Sequence, residues 1–183
     1  MTQPVALITG CSSGIGRALA DAFQAAGYCV WASARNADDL AALSAAGFTA
    51  VQLDVNDGQA LGQLAERLKA EAGGLDVLIN NAGYGAMGPL LDGGVEAMRR
   101  QFETNVFSIV GVTRACFPLL RQNQGLVEYR QRFRRAGHSV CRRLLRQQSC
   151  RTGTLRRVTN GVGTLRYRGD GSPTRRHRLQ LRQ

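Results

Sequence analysis

Short, unbroken apolar runs alternate with helix-period patterns through the first 127 residues, and the alternation then stops. Val5-Ala-Leu-Ile8 is the first such run, as expected of a strand buried on both faces. Ile15, Leu19 and Phe23 then recur at four-residue spacing, with Ala18, Ala22 and Ala26 alongside. That spacing makes one apolar helix face, and Gly27 is a natural stop. Tyr28 to Ala34 reads as a second strand, and Asp38 to Ala45 as a short helix whose Asp38 and Asp39 suit its positive N-terminal end. Phe48 to Leu53 is a third strand, Leu61, Leu64 and Leu68 mark a third helix closed by Gly73-Gly74, and Leu75 to Ile79 is a fourth strand. One long helix pattern runs from Val95 through Met98, Phe102, Val106 and Ile109 towards Leu119. This order predicts a parallel sheet with helices on both faces.

Charge divides the chain at the same point. The formal net charge is +11, which for a whole protein would point to nucleic acid or an anionic surface. Residues 1–127 hold 8 basic and 11 acidic side chains, whereas residues 128–183 hold 16 and 2. All 16 of those basic residues are Arg, and the chain's one Lys is Lys69. Beyond Val127 no period of two or 3.6 is sustained, so this segment is expected to bury little and to stay unfolded.

Other classes drop out. No apolar run approaches the roughly 18 residues of a membrane helix, and the start, MTQPVALITG, lacks the basic region of a signal peptide. The five cysteines, Cys11, Cys29, Cys116, Cys141 and Cys150, form no C-x-x-C pair. A reducing, cytoplasmic setting is therefore expected, with no disulfide framework. His138 and His177 stand far apart without partners, and no metal site is expected.

Thr9-Gly10-Cys11-Ser12-Ser13-Gly14-Ile15-Gly16 joins the first strand to the first helix. Gly10 permits a tight turn, Gly14 lets backbone amides approach a pyrophosphate at the helix N-terminus, and Gly16 allows close helix packing. A glycine triple can be an ordinary turn, but its place between strand and helix is the one nucleotide binding requires. Cys11 in this loop is read as a small packing residue.

The loop resembles the T-G-x-x-x-G-I-G cofactor loop of short-chain dehydrogenases/reductases. Asn80-Asn81-Ala82-Gly83 matches that family's N-N-A-G at the end of the fourth strand. Asn105 in Glu103-Thr104-Asn105-Val106 looks like its helix-borne active-site Asn, and Asp54 in Leu53-Asp54-Val55 like the acidic residue that contacts adenine. The resemblance implies a Rossmann-type doubly wound sheet binding a nicotinamide dinucleotide, with an alcohol or ketone as substrate. It places Gly10, Ser12, Ser13, Gly14, Ile15, Gly16, Asp54, Val55, Asn81, Ala82 and Gly83 around the cofactor. Asn105 would organise a water in the proton relay. Arg35 follows the second strand, with Ser33 near its end, where an Arg accommodates a 2′-phosphate and a carboxylate would bond a 2′-hydroxyl. NADP is thus favoured over NAD, the alternative being a solvated surface Arg.

In that family the next strand carries the catalytic Ser, and the following helix carries Y-x-x-x-K. This sequence contains no Y-x-x-x-K. The tail does, however, have the composition of a GC-rich gene read out of frame. Offset codons, each built from the last two bases of one codon and the first of the next, allow Asn at Glu128/Tyr129 and Ser at Gln131/Arg132. They also allow Tyr at Leu144/Leu145, Lys at Gln148/Ser149 and Pro at Thr174/Arg175. The hidden Ser-to-Tyr and Tyr-to-Lys spacings, 13 and 4, equal the family's. One consistent codon choice supplies the missing strand, catalytic helix and Pro-Gly loop, resembling the hydroxysteroid/retinol dehydrogenase branch. The expectation is an incomplete domain over 1–127, its sheet truncated after the fourth strand and the long helix, followed by a non-native basic tail over 128–183 and lacking turnover. Two other readings stand beside it. One is a nucleotide-binding module with a basic arm for nucleic acid, which binds nonspecifically through the tail. The other is a nonfunctional fragment whose fourth strand is an exposed edge.

Overall fold

Each apolar run becomes a strand of one sheet. The strands are β1 (Val5–Ile8), β2 (Cys29–Ala34), β3 (Thr49–Gln52) and β4 (Val77–Asn80). Helices α1 (Gly14–Ala25), α2 (Ala37–Ala45) and α3 (Gly58–Ala72) connect them, and α4 (Leu90–Phe102) and α5 (Ser108–Gln122) follow β4. The computed structural model describes residues 3–86, 90–130 and 162–166.

The sheet does not stop after the fourth strand. A fifth strand, β5 (Leu126–Arg130), lies parallel beside β4 with Leu126 opposite Val77 and Tyr129 opposite Asn80. It crosses the composition boundary at residue 127, because main-chain pairing needs only an extended backbone and not a particular side chain. β4 is therefore flanked on both sides rather than left as an edge. The short β6 (Val162–Arg166) pairs antiparallel outside β5, giving the order β3-β2-β1-β4-β5-β6. The other residues of the 128–183 tail lie outside those described.

Alternation along β1 builds two cores, since successive side chains point to opposite faces. Val5 and Leu7 join Leu61, Leu64 and Leu68 of α3 and Val112, Cys116, Leu119 and Leu120 of α5. Ala6 and Ile8 join Ala20 of α1 and Leu43 of α2, with Leu19 and Phe23 packed alongside. Asp57 caps α3 by accepting from the Gln59 and Ala60 amides at 2.8 and 3.1 Å, and Gly73 ends it at φ +73°. Among the described residues, no helix is long and apolar enough to cross a membrane.

The long helix is not continuous. Gly94 leaves helical geometry inside α4 at φ +58°, a conformation glycine reaches without strain. Glu103–Phe107 then forms a π-helical turn between α4 and α5. Val112, Cys116 and Leu119 of α5 face the core, whereas Val95, Phe107 and Val110 are 63%, 57% and 66% exposed.

Candidate nucleotide-binding site

The glycine loop lies at the C-terminal end of the sheet, between β1 and α1. Thr9 fixes it. Its buried hydroxyl accepts from the Asn81 and Ala82 amides, each at 3.0 Å, and donates to the Ile79 carbonyl at 3.4 Å. The Asn81 side-chain amide then donates to the Thr9 and Gly10 carbonyls, both at 2.9 Å. Two segments some 70 residues apart in sequence are thereby joined into one rim. Thr9 belongs to the loop motif, and its hydroxyl beside the first glycine is the sequence signal for this role.

The three glycines serve different needs. Gly10 sits at φ +72°, and a Cβ there would lie 2.9 Å from the Ala82 Cα. A Cβ on Gly16 would collide with the Gly10 carbonyl oxygen and the Asn81 side chain, so its contact is with the loop rather than with a strand. Gly14 is at φ +60° with open space above it. Ser12 and Ser13 are exposed, and Ser13, the N-cap of α1, makes no capping bond through its side chain. The first turn of α1 carries no acidic residue, and Arg17 is taken up by Asp21 at 3.3 Å. The helix therefore presents backbone amides that no side-chain cap or carboxylate occupies, which suits a diphosphate. Half-buried Ile15 lies on the same turn.

Ser33 is placed differently from an exposed ligand. It is buried beneath the loop, its hydroxyl accepting from the Gly10 amide at 3.2 Å and its carbonyl from the Cys11 amide at 2.7 Å. Arg35, two residues on, is exposed, and its carbonyl accepts from the Gln52 side chain at 3.1 Å. Asp54 is exposed and accepts from the Asn56 amide at 3.0 Å, whereas the Val55 side chain is in the core. Burial pushes the Cys11 thiol up to about 12, and it donates to the Ile8 carbonyl, so it is neutral at ordinary pH.

Asn105 stands in the π-helical turn, a feature common at functional sites. Its Oδ1 accepts from the Tyr84 amide at 3.0 Å and its Nδ2 donates to the Tyr84 carbonyl at 2.8 Å. The side chain thus holds the backbone that follows Ala82 and Gly83, and a Cβ on Gly83 would come within 3.0 Å of Oδ1. One residue earlier, Thr104 accepts from the Asn56 side chain at 3.0 Å, tying the turn after β3 to the π-helical segment. Neither Asn56 nor Thr104 had a sequence signal. A cleft of about 880 Å³ opens here, lined by Arg35, Asn56, Tyr84, Arg100, Phe102 and Thr104 among others.

The geometry agrees with comparison to known proteins. The family model described as short chain dehydrogenase matches residues 4–127. A probable short-chain type dehydrogenase/reductase VdlC of Helicobacter pylori is 39% identical over 117 residues, 64% of this chain and 43% of the relative. An NADPH-dependent 3-dehydrocapnine reductase of Ornithobacterium rhinotracheale is 36% identical over 120 residues, covering 63% and 42%. The crystal structure of a short-chain dehydrogenase from Streptomyces avermitilis superposes with a TM-score of 0.64 at 38% identity, over 68% of this chain and 47% of that one. The chain spans less than half the length of these curated relatives. With the glycine loop, the N-N-A-G turn and the parallel sheet in their places, the chain belongs to the short-chain dehydrogenase family.

Proposed function

We propose that the described domain binds NADP(H), as the cofactor half of an oxidoreductase acting on alcohols and ketones. The observation that carries this reading is the open N-terminus of α1 behind a glycine loop, with exposed Arg35 just past β2. The diphosphate would meet the loop amides and the free first turn of α1, and Arg35 would take the 2′-phosphate. Asp54 would receive the adenine, and the backbone of Asn81, Ala82 and Gly83 would line the nicotinamide side. Ser33 would act indirectly, by holding Gly10. The dinucleotide, when bound, supplies the hydride.

The 183-residue chain is expected to bind but not to turn over. Its one lysine, Lys69, lies in α3, and no Tyr-x-x-x-Lys pair exists to hold the reacting oxygen's proton. The family match ends at residue 127, where the Arg-rich composition starts, and this supports an out-of-frame origin for the tail. Titration of the purified chain with NADPH and NADH tests the cofactor reading. NADPH is expected to bind at least tenfold more tightly, and Arg35→Asp to reverse that order. Equal affinities overturn the preference, and no binding of either overturns the site. Carbonyl-dependent oxidation of NADPH above background would refute inactivity. Codons around residue 127 incompatible with the hidden Asn, Ser, Tyr and Lys would refute the frame change.

A further inference from the structure

Arg35 does not face the cleft alone. Arg99 and Arg100 of α4 line it too, together with Glu103 and an apolar wall that includes Val95, Met98 and Phe102. Arg99 is committed to Glu96 at 2.5 Å. Arg100 has no such ion pair among the described contacts.

The placement of Arg100 follows from the chain. It precedes Thr104 by four residues, one helical turn, so the two share a face. Thr104 is bonded to Asn56 at 3.0 Å, and Asn56 to Asp54 at 3.0 Å, in the turn after β3. β3 pairs with β2 so that Gln52 lies opposite Ala34, and the Gln52 side chain holds the Arg35 carbonyl. Arg35 and Arg100 thus line one cleft, and the segments that carry them are tied together through β3 and the turn after it.

We propose that Arg100 is a second specificity-determining residue for the phosphorylated adenosine end of the cofactor, facing Arg35 across the cleft. This rests on the NADP reading above. Two guanidinium groups around one phosphate give charge-assisted, bidentate contacts that a ribose hydroxyl cannot return. Glu103 lines the same cleft, and among the described contacts it forms no ion pair with either arginine.

The test uses the full chain and three mononucleotide probes: 2′,5′-ADP, its charge-matched isomer 3′,5′-ADP, and 5′-AMP. The isomer controls for nonspecific attraction to the Arg-rich tail. Arg100→Gln is expected to weaken 2′,5′-ADP about tenfold and to leave 5′-AMP within about twofold, with Arg100→Lys in between. If Arg35→Gln lowers 2′,5′-ADP affinity while Arg100→Gln does not, the inference is overturned and the NADP reading stands. If the unaltered chain binds 2′,5′-ADP no better than 3′,5′-ADP, the NADP reading itself fails and takes the inference with it. If Arg100→Gln and Arg100→Lys weaken all three probes equally, Arg100 is a structural residue and the inference is overturned.

Discussion

Thr9 uses every hydrogen-bonding capacity of its hydroxyl, two acceptances and one donation, on the turn after β4. Thr9→Val keeps the volume but leaves two amides without an acceptor. It is expected to cost about 2–4 kcal/mol in urea unfolding, while Thr9→Ser stays within about 1 kcal/mol. The glycines beside it make a second contrast. Gly16→Ala drives a methyl into the Gly10 carbonyl and the Asn81 side chain, so nucleotide affinity should fall more than tenfold. Gly14→Ala meets no protein atom, so the free chain carries only the left-handed backbone cost of about 1–2 kcal/mol. A free chain destabilised equally by the two substitutions would contradict this division of roles. The buried thiols add a pH dependence. Burial raises Cys116 from 9.0 to about 12 in the folded chain. The unfolded state therefore loses its proton first, and stability present below pH 9 is lost as pH rises towards 12. Between pH 8 and pH 10 this thiol should cost about 1.4 kcal/mol, and Cys116→Ala should lose that much less than the unaltered chain in paired urea melts.

At the scale of elements, strands β1 to β4 and helices α1 to α3 were legible in the sequence. Each run has a period of its own and ends on a residue with a conformational reason to stop, as at Gly73. The region after β4 was less legible. A stripe through Val95, Met98, Phe102, Val106 and Ile109 has helical spacing throughout, and nothing in it marks the extra residue of the π-helical turn. That turn depends on tertiary bonds, Asn105 to Tyr84 and Thr104 to Asn56, between segments far apart in sequence. The motifs bring the glycine loop and the N-N-A-G turn to one rim, but the particular bonds between them, such as Thr9 to Asn81 and Ala82, are not legible in the motifs. Ser33 is expected with Arg35 at the cofactor, and β2 buries it beneath the loop, where its hydroxyl accepts from the Gly10 amide. Asn105 gives the element-scale prediction. Asn105→Ala removes two bonds to an exposed backbone that water can partly replace, and should cost about 1 kcal/mol. Asn105→Asp sets a carboxylate oxygen against the Tyr84 carbonyl and should cost at least as much. A limited-proteolysis rate at the Tyr84 segment that rises in both variants would support the tether. An unchanged rate would show that the other contacts hold it.

For the whole molecule, the composition boundary and the structural boundary fall a few residues apart. Side-chain statistics change after Val127, but β5 runs on to Arg130 and covers the outer edge of β4. That edge matters to the site, because every β4 residue is buried and Ile79 of β4 supplies the carbonyl that orients Thr9. Nine of the 24 basic residues lie at or before Arg130, so the overall charge and the site belong to different parts of the chain. A chain ending at Arg130 keeps the glycine loop, the five parallel strands and the Arg35–Arg100 cleft. Its new edge strand carries Glu128, a charge that discourages pairing with another copy. It should bind NADPH within about threefold of the full chain and elute from heparin at much lower salt. A chain ending at Gly125 loses β5 and exposes Val77–Asn80 as an apolar edge, and should aggregate and lose a cooperative thermal transition. Should the Gly125 chain melt as sharply as the Arg130 chain and bind NADPH as well, β5 would have no part in holding the site. The five-stranded sheet would then be dispensable beyond β4.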